Sequence, residues 1–259
     1  MAPAAVWRNS VAWMKTSNPA LSENTFRGEG ISYGDAMTIS GTVNKTGILV
    51  ICAVATAAVT WNMFMNSGSP ETVMPLGLLG LVGGFVVALV TVFKKTWAPI
   101  TAPIYALLEG LVLGTASAMM EMRFHGIAIQ AVGLTFGTLV ALLLVYRTGV
   151  IKVTDNFRLG VVAATGGIAL FYIATMILGF FGVRFPSIYG AGPLGIGISV
   201  FVVIIAALNL VLDFDFIESG ARMGAPKYME WYGAFGLMVT LIWLYFEILR
   251  LLSKVRSRN

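Results

Sequence analysis

Residues 194–217 read LGIGISVFVVIIAALNLVLDFDFI, and they decide the fold. From 194 to 212 this stretch carries no charged side chain. An α-helix rises about 1.5 Å per residue, so about 20 apolar residues cross the roughly 30 Å hydrocarbon core of a bilayer. The stretch therefore predicts a helix that spans a membrane.

Six further apolar runs of similar length accompany this one. They lie at 46–65, 75–93, 98–120, 127–146, 159–181 and 229–252. The pattern predicts an all-α membrane protein with seven transmembrane helices. Residues 45–259 then form the transmembrane domain, and residues 1–44 form a polar cytoplasmic tail. The second and fifth runs are rich in glycine and alanine, which predicts close contacts between helices there.

The composition agrees with a membrane protein and excludes several other classes. Charged residues make up 11% of the chain, against about 25% in soluble domains, and so few charges cannot cover a water-facing surface. With one cysteine, Cys52, and one histidine, His125, metal sites rich in these residues are not expected. No lysine or histidine lies in any run, which excludes a retinal Schiff base and a rhomboid-type protease. We expect no enzymatic activity and no cofactor.

The basic residues indicate how the chain crosses the bilayer. They are scattered between the apolar runs and form no stripe, so nucleic acid is not an expected partner despite the net charge of +5. Most of the 17 lysines and arginines lie in the tail and in the second, fourth and sixth connections. The positive-inside rule therefore predicts a cytoplasmic N-terminus. The basic residues near the C-terminus leave one alternative, in which one segment is re-entrant and both ends are cytoplasmic.

Ionisable residues inside the runs are the best candidates for function, because a charge in the bilayer costs at least about 2.5–3.5 kcal/mol. Glu109 lies near the middle of the third run, and Asp213 lies toward the cytoplasmic end of the sixth, four residues after Asn209. Glu247 lies toward the outer end of the seventh run, three residues before Arg250. Carboxylates at different depths suit a proton or cation path, and oxygen ligands suit calcium. Asp213 and Glu109 are therefore predicted as transient cation sites.

Four acidic residues in or next to the runs also have a purely structural interpretation. Glu109 can be buried with hydrogen-bonding partners, and Glu247 can pair with Arg250 at the outer interface. Asp215 and Glu218 can cap the end of the sixth helix among the lipid headgroups.

Helix geometry separates Asp213 from its neighbour Asp215. Two residues correspond to a rotation of about 200°, so both side chains cannot line one pore if the helix continues. Asp213 and Asn209 share a face and form a polar stripe that can point at the seventh run, where Thr240 and Glu247 share a face. We predict that Asp213 senses pH and that Asp215 faces headgroups or a neighbouring helix.

Several segments resemble the transmembrane Bax inhibitor motif family, in its bacterial Bax-inhibitor-like branch. These segments are SNPALSENTFRG at 17–28, MTISGTVNKTGIL at 37–49, APIYALLEGLVLG at 102–114, ALNLVLDFDFIESG at 207–220 and APKYMEWYGAFGLMVTLIWLYFEILRLL at 225–252. The resemblance covers nearly the whole chain. It implies a multi-pass protein of the bacterial cytoplasmic membrane in which the last helix is central and wrapped by the other six.

The resemblance also implies a pH-sensitive calcium leak. In channel members of the family an aspartate on helix six and one on helix seven share a proton and gate the pore, and an arginine on helix two can latch to the helix-six aspartate. Here the helix-six aspartate matches Asp213. The helix-seven position falls on Thr240, which is not ionisable. The helix-two arginine falls near Val92, so Lys94 or Lys95 just beyond it, or Arg250, would have to act as the latch. Glu109 and Glu247 have no counterpart, so either can replace the second acidic group.

Two other functions compete with a calcium leak. Some bacterial relatives look like non-enzymatic modulators of a membrane-bound protease in quality control, and the polar tail suits a membrane-protein partner. An intramembrane aspartyl protease needs two aspartates on different helices, whereas Asp213 and Asp215 lie on one. The expected partners are the lipid bilayer, calcium or other cations, and a membrane-protein partner.

Overall fold

A computed structural model describes residues 36–182 and 190–258, and within these ranges the chain forms seven long α-helices. The helices are α1 Ile39–Ser67, α2 Pro70–Phe93, α3 Ala98–Arg123, α4 Ile127–Arg147, α5 Asp155–Phe180, α6 Pro193–Arg222 and α7 Met229–Arg258. A short 3₁₀ turn, Lys95–Trp97, precedes α3. Every helix is long and apolar enough to cross a membrane, which confirms the prediction of an all-α protein with seven spans.

Two helices begin before their apolar runs because threonine side chains cap their N-terminal ends. The Thr38 hydroxyl accepts a hydrogen bond from the Gly41 amide and starts α1, so the last residues of the predicted tail belong to this helix. Residues 1–35 lie outside the described residues, and the tail stays a prediction. The Thr154 hydroxyl starts α5 in the same way by accepting from the Phe157 amide. This cap places Arg158 inside the helix.

The last helix lies at the centre of the bundle. In its most apolar stretch 67% of the residues are buried, compared with 17% in α2 and in α5. It packs against α1, α3, α4 and α6, while α2 packs on α1 and α3, and α5 packs on α6. The last helix is therefore central, as expected, but the other six do not wrap it evenly: α1, α3, α4 and α6 pack along it, and α2 and α5 form the outer parts of the bundle.

Glycines of α3 permit the closest approach between helices. A side chain at Gly110 would collide with the Ala53 carbonyl of α1, and one at Gly114 would collide with the Ala57 carbonyl. The Thr56 hydroxyl donates across the same contact to the Leu107 carbonyl at 2.8 Å. In lipid such close contact is a main source of helix association, because burial of apolar surface adds little there.

The predicted glycine contacts are confirmed in α2 and wrong in α5. A side chain at Gly80 would collide with the Leu108 carbonyl of α3. At Gly160, Gly166 and Gly167 an added Cβ would meet no atom of another described helix within 4 Å. Small residues permit close contact, but they do not determine which helices have a neighbour on that face.

If all seven helices cross the membrane, the two ends of the chain lie on opposite sides of it. We predict that a reporter active only in the cytoplasm gives a signal when inserted at Gly30 and none when fused after Asn259. A periplasmic reporter at the same two positions is the control and should give the reverse pattern. A cytoplasmic signal from both positions would contradict seven crossings.

Candidate functional site

The two aspartates of α6 have different surroundings. Asp213 is completely buried, with 0% of its surface exposed. Asp215 is partly exposed, and its Oδ2 atom accepts a hydrogen bond from Nη2 of Arg158 on α5 at 2.6 Å. The two side chains leave the helix in different directions, as their spacing predicts. Of the alternatives for Asp215, a neighbouring helix is the one that the structure supports.

Arg158 is the partner that sequence reasoning missed. It lies in the first turn of α5 and is 6% exposed, although it appears in the sequence as a charge of the connecting loop. A second carboxylate, that of Asp155, lies 3.9 Å from its Nη1 atom and is largely exposed. The buried contact to Asp215 is therefore the principal one, and it ties α5 to α6.

Further polar groups surround this ion pair at the same end of the bundle. The Tyr146 hydroxyl of α4 donates to Oε2 of Glu218 at 2.5 Å. Arg222 approaches Oε1 of the same glutamate at 3.6 Å. Glu218 thus joins α6 to α4 and does not simply cap the helix, so three helices meet through charged or polar side chains here.

Asn209 lies in the bundle interior and contacts α5. Its Nδ2 atom donates to the Thr165 hydroxyl and to the Ile205 carbonyl, both at 2.8 Å. The sequence predicted that this part of the stripe can point at α7. In the structure Asn209 also contacts α5, where the Thr165 hydroxyl accepts its hydrogen bond.

Glu247 and Arg250 form the pair that their spacing predicts, and they gain a partner on another helix. Nη1 of Arg250 lies 3.1 Å from Oε1 of Glu247, which is buried. The Tyr172 hydroxyl of α5 donates to the same oxygen at 3.1 Å and accepts from Arg250 at 2.6 Å. The guanidinium also lies over the Tyr172 ring, 5.2 Å from its centroid. Tyr172 was not a sequence candidate.

The two remaining candidates lie elsewhere. Thr240 is buried, and its hydroxyl donates to the Gly236 carbonyl of its own helix at 3.4 Å. Glu109 is half-buried, hydrogen-bonds to Tyr105 one turn before it on α3, and lies against Gly84 of α2. These contacts of Glu109 connect α3 with α2, away from the aspartates of α6.

The described residues contain no group of three or more His, Cys, Asp or Glu that could hold a metal ion. A cavity of about 430 Å³ opens between α1 and α4. Its lining is mostly apolar, and its polar members are Ser117, Thr135, Asn62 and Tyr245. No charged residue lines it. The ionisable candidates therefore lie outside this cavity: Glu109 lies between α2 and α3, and Glu247 and Arg250 lie where α7 contacts α5.

A comparison with models of protein families finds a match that covers all seven helices. A family model described as Bax inhibitor 1 like matches residues 18–257. The chain belongs to this family. The search of curated proteins and the search of solved structures each return no match. Family membership is therefore the one relationship that the comparisons give.

This Bax inhibitor 1 like protein differs from the charge pattern that the family resemblance implies for helices two, six and seven. Position 240 carries the uncharged Thr240, and α2 ends at Phe93 without an arginine in its last turn. The arginine that pairs with an aspartate of α6 is Arg158, and it comes from α5. The cross-helix ion pair thus involves a different helix and a different aspartate from those that the resemblance implies.

Another buried charged residue, which was not a sequence candidate, joins the starts of α1 and α7. Glu230 is fully buried and accepts hydrogen bonds from the Thr38 amide at 2.9 Å and the Thr38 hydroxyl at 2.8 Å. Lys45 also contacts this carboxylate, and Lys227 lies 3.0 Å from it. Gly41 makes room, because a side chain there would collide with the Glu230 carboxylate. The carboxylate therefore connects the first helix to the central one.

We predict that Glu230→Gln lowers the free energy of unfolding by about 1.5–3 kcal/mol, since hydrogen bonds to a charged group are lost. Thermal unfolding of the purified protein in detergent measures the change. Glu71→Gln is the matched control, because Glu71 is exposed in the first turn of α2. Equal unfolding temperatures for Glu230→Gln and the wild type would contradict a stabilising role for the carboxylate.

Proposed function

We propose that this protein is a pH-sensitive cation leak channel, with calcium as a permeant ion and no enzymatic activity. It acts in the cytoplasmic membrane of a bacterium with its N-terminus in the cytoplasm. One observation carries the proposal. The ion pair of Arg158 and Asp215 ties an outer helix to α6 two residues from the fully buried Asp213.

The energetic cost of these charges supports a functional role. A charge in the bilayer costs at least about 2.5–3.5 kcal/mol, and ionisable residues in membrane spans typically mark ion or proton pathways. Packing alone would be served as well by apolar residues, because replacing a buried ion pair with apolar side chains is often neutral for stability. Calcium prefers oxygen ligands, and Asp213 offers a carboxylate inside the bundle.

The Arg158–Asp215 ion pair gives the leak its dependence on pH. Within the described ranges, the charged and titratable groups around Asp215 are Arg158 on α5, Tyr146 on α4, and Glu218 and Arg222 on α6 itself. Acid neutralises the carboxylate and removes its attraction for the guanidinium. The leak therefore increases as the pH falls, because α5 is released from α6.

The same ion pair changes the expectation for the two aspartates. From helix geometry alone, we expected Asp213 to sense pH and Asp215 to play no part in the response. With Arg158 held by Asp215, we assign the pH-sensitive tie to Asp215 and the transient cation site to Asp213. The second acidic group of the resemblance is then unnecessary, and a single carboxylate gives a shallow response to pH.

Calcium flux into dye-loaded liposomes tests the proposal over a pH range from about 6 to about 8. We predict that Asp215→Asn raises flux at neutral pH by about fivefold or more and abolishes the activation by acid, as expected for a coupling of ordinary size. Arg158→Gln should have the same effect, and the double variant should add little to either single one. Asp213→Asn should lower flux at every pH.

The matched control is Asp155→Asn, because Asp155 is 66% exposed at the start of α5. This variant should keep the wild-type flux and its pH response. Each variant is checked for an unchanged elution volume and unfolding temperature before flux is measured. Absence of flux from the wild type and from every variant would reject the channel and favour a modulator of a membrane-bound protease.

A further inference from the structure

We infer that the ion crosses between α5, α6 and α7, along a stripe of α5 formed by Arg158, Thr165 and Tyr172. This inference rests on the proposed leak and specifies its route. We call these three residues the α5 stripe. It involves neither α2, from which the family resemblance draws an arginine, nor the apolar cavity between α1 and α4.

The spacing of the α5 stripe places its members on one helix face. They lie seven residues apart, which is close to two full turns, so successive side chains point in nearly the same direction. The stripe rises about 21 Å from Arg158 to Tyr172, which is most of the roughly 30 Å hydrocarbon core. One face of a single helix thus carries polar groups through most of the membrane.

Each member of the stripe makes a polar contact with a neighbouring helix. Arg158 contacts Asp215 of α6 at 2.6 Å, and the Thr165 hydroxyl accepts from Asn209 of α6 at 2.8 Å. Tyr172 contacts Glu247 and Arg250 of α7, as described above. The partners therefore form three levels, two between α5 and α6 and one between α5 and α7.

Polar groups continue beyond the third level to the far end of the bundle. Lys254 lies one turn after Arg250 on α7, and its Nζ atom donates to the Gly195 carbonyl at 3.0 Å. Gly195 belongs to the first turn of α6. Polar contacts therefore extend from the start of α5 to the start of α6, which lies at the opposite end of the bundle.

An apolar layer interrupts this series between the second and third levels. Ile168 of α5 packs with Val202 and Ile205 of α6, and Trp243 of α7 packs against this cluster. Ile205 lies one turn from Asn209 and Trp243 one turn from Glu247, so the layer occupies the same faces as the polar contacts. Hydrophobic constrictions of this kind close channels by excluding water. The layer therefore closes the route in this structure.

The packing of α5 allows the route to open. This helix packs on α6, and its other faces carry exposed apolar residues such as Leu170, Ile173 and Met176. By contrast, Gly80 holds α2 close against the backbone of α3. Outward movement of α5 breaks the three polar contacts and parts the apolar layer without disturbing the contacts of α7 with α1, α3 and α4.

The first test is a polar substitution in the apolar layer. We expect Ile168→Ser to raise calcium flux into liposomes at neutral pH by about fivefold or more, because water enters the constriction. The matched control is Ile173→Ser, the same change on the same helix at a residue that is 50% exposed toward lipid. It should keep the wild-type flux. Equal flux from both variants and the wild type would reject the route while leaving the leak itself intact.

The second test detects water in the route without relying on the size of the flux. Cys52 is the chain's single cysteine, so a Cys52→Ser background contains no thiol. In this background Ile168→Cys should react with a charged, water-soluble methanethiosulfonate reagent, and faster at acid pH than at neutral pH. Ile173→Cys should not react. No reaction of Ile168→Cys at either pH would overturn the route, and absence of flux from every protein would overturn the leak together with it.

A third comparison separates the stripe from general effects on packing. Tyr172→Phe removes the hydroxyl that ties α5 to α7 at the third level. It should therefore raise flux by about fivefold or more. Tyr245→Phe is the control, because its hydroxyl contacts Ser117 of α3 at 2.6 Å on another side of α7. Equal flux from the two variants would count against the stripe.

Discussion

A charge inside a membrane must meet an opposite charge or a hydrogen-bonding partner, and this requirement determines much of how the outer helices attach. Asp215 meets Arg158, and Glu247 meets both Arg250 and Tyr172. Because lipid tails are as apolar as leucine side chains, apolar contacts alone select neighbours poorly. The polar contacts supply that selection for α5, whose own buried surface is small.

The helices themselves could be predicted from the sequence, because length and apolar composition suffice for a span. The pair of Glu247 and Arg250 could be predicted as well, since both residues lie on one helix at a spacing of three. Their ring partner Tyr172 could not, because it lies 75 residues before Glu247. Spacing within a helix is readable from a sequence, whereas the angle at which helices face each other is not.

Arg158 and Glu230 show two further ways in which sequence reasoning fails. The apolar run of α5 begins at 159, so the sequence places Arg158 in the preceding loop. In the structure the cap at Thr154 starts the helix earlier and includes Arg158 in its first turn. Glu230 stands 185 residues after its partner Lys45, at the start of another helix. One signal was available, namely the seven-residue spacing of Arg158, Thr165 and Tyr172, which marks one face of α5.

The central position of α7 has a consequence for the order of assembly during synthesis. The helix that four others pack against emerges from the ribosome after all of them, so α1 to α6 enter the membrane before their common core exists. Each can be stable in the membrane as a separate helix, because its backbone hydrogen bonds are satisfied internally. Thr38 and Lys45 gain their shared acceptor only when Glu230 arrives. A chain arrested before Met229 would therefore lack the central helix, although α1, α2 and α3 could already pack on one another.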